Sequence, residues 1–189
     1  MSTYTVDHLA KAIKLLRRIG IDGVIIGNTC IYLELNERRL EGDIDLFVTS
    51  LSPLVEEERI RRIAYENGWS IGTTELGTPS IIMNINDIDI TIELYENILD
   101  FYIPYDALEL CKRRKTIANE EIDYIAPECW AVLKARRGSN QDIDELLMMK
   151  DLIERNELKL DQTLLNNTIN LFGDEASYIR NRLKSINIL

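Results

Sequence analysis

Residues 80–94, SIIMNINDIDITIEL, constrain the fold more tightly than any other stretch, because apolar and polar side chains alternate on both sides of a central Asn86-Asp87 pair. Alternation at a period of two marks a strand with one face in a core. Asn and Asp both tolerate positive φ, so the pair predicts a two-residue hairpin turn. The turn sets a register in which Ile85 opposes Ile88, Met83 opposes Ile90 and Ile81 opposes Ile92, making one face wholly apolar. The other face carries Asn84, Asp89, Thr91 and Glu93. A ribbon divided this way has helices on one side and something polar on the other.

A second stretch, residues 23–48 (GVIIGNTCIYLELNERRLEGDIDLFV), shows the same division. Gly23-Val24-Ile25-Ile26 reads as a short buried strand, Gly27 and Asn28 as a turn, and Thr29 to Leu35 as a short helix. The strand that follows puts Asp43 and Asp45 on one face and Ile44, Leu46 and Val48 on the other. Two neighbouring carboxylates repel and are costly to keep ionised unless a cation lies between them. A hard divalent ion such as Mg²⁺, held through oxygen ligands, supplies that compensation. The Gly27-Asn28-Thr29 corner aims backbone N–H groups at the same end of the sheet, and such a corner attracts phosphate. A phosphate cradle beside a metal-binding aspartate pair is what phosphoryl-type transfer needs.

With 189 residues the chain fits one domain or two small ones, and a chain of this size buries roughly 70% of its unfolded surface. Lys+Arg 22 against Asp+Glu 32 gives a net charge of −10, which argues against general adhesion to nucleic acid or an anionic membrane. Cys30, Cys111 and Cys129 are odd in number and have no Cys-x-x-Cys spacing, so reduced thiols in a cytoplasmic protein without a zinc site are expected. Charges interrupt the first twenty residues, which do not read as a secretion signal. No run of about 18 apolar residues occurs, and no membrane span is expected. Nothing near the single histidine, His8, supports a Ser-His-Asp triad.

Val6, Leu9, Ile13 and Leu16 recur at helical spacing between a Thr5 cap and a Gly20 stop. Lys11, Lys14, Arg17 and Arg18 form its solvated face. Ser52-Pro53 opens a helix running to Asn67-Gly68, with Glu56, Glu57 and Glu58 suited to its first turn. From Asp106 the pattern changes to helices joined by short links. KRRK at 112–115 reads first as a solvated face, with contact to an RNA backbone as the alternative. Glu121 to Ile125 reads as a short extended piece. Pro127 opens a helix through Arg137, and Gln141 to Arg155 forms another with Asp142 and Glu145 on one face. A helix from Leu160 to Leu171, stopped by Gly173, and one capped by Asp174 finish the chain; they suit bundle packing or homo-oligomer association. The division this gives is a core domain over 1–105 and a helical domain over 106–189.

Together these residues resemble the nucleotidyltransferase superfamily that includes DNA polymerase beta, whose pattern is an apolar strand, Gly-Gly or Gly-Ser, then Asp-x-Asp on the next strand. The likeness is greatest to the minimal and abortive-infection-type nucleotidyltransferases, which often carry an Arg four residues before the first aspartate, here Arg39. APECWAVLKARRGSNQDIDELL resembles the family's second block, in which a Pro-started helix carries a Lys, then an Arg, then an acidic pair. The resemblance covers roughly residues 20–150. Asn28 stands where relatives have Gly or Ser, Glu41 where they usually have Ser or Thr, and the interval from Gly27 to Asp43 is long.

The resemblance implies an α+β fold: a mixed β-sheet nucleotidyltransferase core with helices on one face, then a C-terminal helical domain closing over the nucleotide. It also implies Mg²⁺-dependent transfer of a nucleoside monophosphate from a triphosphate such as ATP to a hydroxyl. Asp43 and Asp45 then hold two Mg²⁺ ions, with Asp89 as third carboxylate and Glu93 as second choice. A solvent-facing strand position is the plain reading of Asp89. Gly27, Asn28 and Thr29 hold the outer phosphates, with Arg39 and Lys134 as fixed positive charges. Arg137 lies near Lys134, and Asp142 and Glu145 either orient these basic groups or form structural ion pairs. Relatives modify a partner toxin or antitoxin protein, the end of a tRNA, or a small hydroxylated antibiotic. Net acidity ranks a protein or a locally held RNA end ahead of broad polynucleotide binding. A different class of reading, a binding or antitoxin-like module with little chemistry, is kept open by Asn28 and Glu41.

Overall fold

The structure is a computed structural model that describes residues 3–189. The chain divides into two units: the residues up to Tyr102 with Arg113–Tyr124, and Ile103–Lys112 with Ile125–Leu189. In the first unit β1 (Thr3–Thr5) runs directly into α1 (Val6–Arg18), followed by β2 (Gly23–Ile25), α2 (Thr29–Glu34), β3 (Arg39–Glu41) and β4 (Ile44–Val48). Then come α3 (Glu57–Glu66), β5 (Ser70–Thr73), β6 (Pro79–Ile85) and β7 (Ile88–Tyr95). After α4 (Tyr105–Cys111), which belongs to the second unit, β8 (Lys112–Ile117) and β9 (Glu120–Ile125) complete the sheet.

Seven strands lie in the order β5-β6-β7-β4-β2-β9-β8. β2 is antiparallel to β4, while β4–β7 and β2–β9 are parallel, so the sheet is mixed. The β6–β7 hairpin has the register its alternation sets, with Ile85↔Ile88, Met83↔Ile90 and Ile81↔Ile92 paired and Asn86 and Asp87 both at positive φ. All of these apolar residues except Ile88 are fully buried. α1 and α3 pack against β6, and α3 also against β5. α1 presents Leu9, Ala12, Ile13 and Leu16 inward, and its first turn is closed by the reciprocal Thr5–His8 capping box.

Two features depart from the sequence reading. β1 and β3 form a separate two-stranded ribbon, with Tyr4 opposite Leu40. KRRK is not a helix surface but the edge strand β8, and residues 113–124 return to the sheet unit, so the chain does not divide cleanly at 105/106. Charge suits an unpaired edge, because it discourages strand addition. The run is also occupied: Arg114 reaches Asp123 (2.6 and 2.9 Å) and Glu121 (2.9 Å), Arg113 pairs with Glu34 (2.5 Å), and Lys115 donates to Asn36 (2.7 Å).

The second unit is helical: α4, α5 (Pro127–Arg137), α6 (Asn140–Glu154), α7 (Gln162–Asn170), a 3₁₀ turn at Gly173–Glu175 and α8 (Ala176–Ser185). α5 contacts each of the other four helices and buries Cys129, Trp130, Ala131, Val132 and Ala135. Buried Glu128 accepts from the Asp161 N–H (2.7 Å), and Asp161 in turn caps α7. The three cysteines are buried free thiols. No helix among the described residues is long and apolar enough to cross a membrane.

Candidate active site

β2 ends where the glycine corner begins, and the Ile26 N–H donates to the Asp45 carbonyl (2.9 Å), which holds the corner against β4. Gly27 has no room for a side chain. A Cβ there would lie 1.7 Å from Asp45 Oδ2 and 2.5 Å from its Cγ, so glycine is required by the carboxylate rather than by its own backbone angles. The Cys30 and Ile31 N–H groups close the first turn of α2 by donating to the Gly27 and Asn28 carbonyls (2.9 and 3.0 Å).

Asp45 is half-buried and Asp43, just ahead of β4, is exposed. Across the β4–β7 pair the residue level with Asp45 is Glu93. Paired residues on neighbouring strands share a face, so Glu93 stands beside Asp45. Asp89 lies four residues back, about 13 Å along β7. It pairs with Asn84 of β6 and accepts from Asn84 Nδ2 (2.8 Å). Asp45 and Asp89 thus share one face of the sheet, with Asp43 just ahead of the strand, but the in-register neighbour of Asp45 is the second choice, Glu93. Tyr95 donates its hydroxyl to Glu93, and its ring packs on Phe101, which also meets Phe47. An aromatic floor therefore closes the face just beyond both acids.

Other candidates fall into different places. Thr29 is fully buried, its Oγ1 3.4 Å from Tyr4 Oη, so its side chain is turned to the protein and only its backbone remains for a ligand. Arg39 is exposed on the side of the β1–β3 ribbon opposite buried Leu40 and Tyr4. Lys134, in the second unit, contacts Glu145 (2.5 Å) and Asp142 (3.4 Å) and lies over the Trp130 ring (5.4 Å to its centroid). Arg137 grips Asp142 with two hydrogen bonds (2.7 and 2.5 Å), while Ser139 donates to the same carboxylate. Burial alone would raise the Asp142 pKa, but Arg137 and Ser139 together bring it down to about 2. Asp142 and Glu145 thus touch the basic groups Lys134 and Arg137, a contact that both readings of the acidic pair require.

Tyr4 escaped sequence reasoning. It is 1% exposed, on a strand too short to show any period. Burial, and then the negative charges of Asp45 and Asp43, push its phenol up to about 12 despite the contact to Thr29.

Among the described residues no group of three or more His, Cys, Asp or Glu is placed to hold a metal ion. Mg²⁺ is ordinarily held by one or two carboxylates completed by substrate phosphates and water, not by an all-protein cage. Asp43 and Asp45 offer the hard oxygen donors that such an ion takes, and Gly27 keeps the space beside Asp45 clear. The residues fit a magnesium–nucleotide complex better than a metal bound alone.

The fold is that of a nucleotidyltransferase. Among solved structures, an antigenic nucleotidyltransferase-like protein from Paracoccidioides brasiliensis is similar over 95% of this chain and 95% of its own, with a TM-score of 0.52 at 17% identity. The family model for nucleotidyl transferase of unknown function (DUF2204) matches residues 5–185, and the chain belongs to that family. No curated protein matches the sequence.

Proposed function

We propose that this protein moves a nucleoside monophosphate from a nucleoside triphosphate to an acceptor hydroxyl, with magnesium held by Asp43 and Asp45. The observation that carries the reading is Asp45 Oδ2 seated in the space Gly27 leaves, with Glu93 level with it on the next strand. Asp43 and Asp45 would hold the Mg²⁺, which would supply charge neutralisation to the triphosphate and lower the pKa of the acceptor hydroxyl. Gly27 and Thr29 contribute backbone N–H groups to the outer phosphates. Glu93, oriented by the Tyr95 hydroxyl, receives the acceptor proton as the acceptor oxygen bonds to the α-phosphorus and pyrophosphate leaves.

The charge of the open sheet face bears on the acceptor. It carries Asp45, Glu93, Asp89, Glu121 and Asp123, against Lys112 and Arg114. Both cations are engaged, Lys112 by Glu109 (2.6 Å) and Arg114 by Asp123 and Glu121. A polyanion gains nothing on such a face, because nucleic-acid affinity comes from displacing counterions with free Lys and Arg. This ranks a protein or small-molecule hydroxyl ahead of an RNA end, a choice that also suits a role in a toxin–antitoxin or defence system. Incubation with Mg²⁺, each labelled triphosphate and a cell extract tests the reading. Transfer lost in Asp45→Ala supports it; triphosphate binding without transfer by the wild-type chain would favour the non-catalytic module.

A further inference from the structure

Ser80 is a nearly buried hydroxyl beside the proposed base that the transfer reaction, as set out above, leaves unused. Register places it: Gly72 of β5 pairs with Ser80 of β6, Ser80 with Glu93 of β7, and Glu93 with Asp45 of β4. Paired residues share a face, so these four form one row across the open side of the sheet. Glu93 then stands between Asp45 and Ser80, and opposed residues on antiparallel strands hold their Cβ atoms about 4.5–5.5 Å apart. Polar side chains before and after Ser80 in the chain are already met. Asn84 donates to Asp89 (2.8 Å), and the Thr74 and Thr78 hydroxyls lie 2.8 Å from each other. The Ser80 hydroxyl has no hydrogen-bond partner among the described residues, although the residue is only 6% exposed. Groups so enclosed are seldom left unmet, since each costs free energy until some partner arrives. Gly72 keeps the place open: half-buried itself, it would with a Cβ come to 2.6 Å from Ser80 Oγ.

We propose that Ser80 binds the acceptor: the acceptor lies over this row with its reacting hydroxyl at Glu93, and Ser80 Oγ hydrogen-bonds the neutral polar group next to that hydroxyl, a second hydroxyl or an amide. The inference rests on the proposed transfer reading and adds to it the side on which the acceptor is held. Asp45 and the glycine corner take one flank of Glu93, the flank given to metal and triphosphate. Tyr95, which donates to Glu93, and Phe101 close the face beyond the row. The flank toward β5 remains, and there the side chains are the smallest of the row, the hydroxymethyl of Ser80 and the hydrogen of Gly72. A serine hydroxyl both donates and accepts, which suits a neutral group of the kind named. Ser80 takes no part in moving the proton, which stays with Glu93.

The test separates acceptor binding from triphosphate binding. Transfer of labelled nucleoside monophosphate is followed with Mg²⁺ while the triphosphate and the cell extract are titrated in turn. Ser80→Ala removes only the hydroxyl. The expected result is a rise of about three- to ten-fold in the apparent KM for extract, with the KM for triphosphate and the Tm close to wild type, as the loss of one neutral hydrogen bond to the acceptor requires. Gly72→Ala forces the Ser80 hydroxyl to turn, so it should raise the extract KM in the wild-type background and leave it unchanged in Ser80→Ala. A wild-type extract KM in Ser80→Ala, a rise in both KM values, or a further rise on adding Gly72→Ala to Ser80→Ala overturns the proposal. Failure of the underlying reading looks different: wild-type protein then moves no label that Asp45→Ala abolishes, and the acceptor role of Ser80 falls with it.

Discussion

Replacing Gly27 by Ala tests the geometry of the corner without knowledge of the acceptor. The added Cβ would sit 1.7 Å from Asp45 Oδ2, 2.5 Å from Cγ and 2.9 Å from Cβ, whereas ordinary contact begins at 3.4 Å. The carboxylate oxygen must therefore retreat by 3.4 − 1.7, or about 1.7 Å. Only rotation of the Asp45 side chain or a shift of β4 against β2 can provide that. Overpacking of this kind costs roughly 1–3 kcal/mol, a fall of about 2–12 °C in Tm for a chain of this size. A catalytic group misplaced by about 1 Å loses on the order of 100-fold in rate, so transfer should fall at least that far. A double-mutant cycle isolates the cause. With Asp45→Ala the contacts to Oδ2 and Cγ disappear and only the 2.9 Å approach to Cβ remains, so Gly27→Ala should cost less in that background than in the wild type, giving a coupling of about 1 kcal/mol by thermal or urea unfolding. Strictly additive melts would refute the close approach of Gly27 and Asp45, and with it the corner on which the site is built.

Three further outcomes follow from particular contacts. Glu93→Gln should lower transfer by about 10²–10⁴-fold, whereas Asp89→Asn should leave it within about three-fold; steady-state rates with labelled triphosphate decide between them. Asp142→Ala should destabilise the chain by about 1–2 kcal/mol, because it removes the buried carboxylate that Arg137 and Ser139 hold and the reciprocal half of the α6 capping box, while Lys134 keeps Glu145. Since the Asp142 pKa falls from 3.8 to about 2 on folding, its contribution is complete above pH 3.8 and is lost as pH drops through about 2. The gap between wild type and Asp142→Ala in urea unfolding should narrow over that window. Asp87→Val should cost about 1–2 kcal/mol in the same measurement, because a β-branched residue is forced to φ 64° in the hairpin turn.

What could be read from sequence was whatever a short-range rule controls. The β6–β7 pairing follows from alternation plus two turn residues, and the residues involved are contiguous. The α5 boundaries, Pro127 and Arg137, follow from a proline at the first position and a glycine after the last. β8 escaped for an equally local reason, although Glu121 to Ile125 read as extended: its turn into β9 is Ala118-Asn119, both at positive φ, and alanine is not a residue that advertises such a conformation. β8 also has no apolar alternation, since its inward and outward positions are alike filled by Lys and Arg whose partners, Glu34, Asn36, Glu121 and Asp123, lie elsewhere in the chain.

The choice between Asp89 and Glu93 shows where sequence reasoning stops on physical grounds. Period-two alternation puts both on the face of Asp45, because it fixes the side of the sheet on which each residue projects. It does not fix how far β7 slides along β4. Those strands are parallel, joined not by a turn but through α3, β5 and β6, so no loop length transmits their stagger. Stagger is set instead by packing: Ile44 pairs with Ile92 and Leu46 with Leu94, all four fully or almost fully buried. Sliding β7 by two residues would keep every side chain on its own face and bring Thr91 beside Asp45; sliding it by four would bring Asp89 there. Neither shift conflicts with hydrophobic patterning, and only the fit of these isoleucines and leucines excludes them. The chemistry assigned to Glu93 is therefore decided by core side chains on the opposite face, none of which touches a substrate.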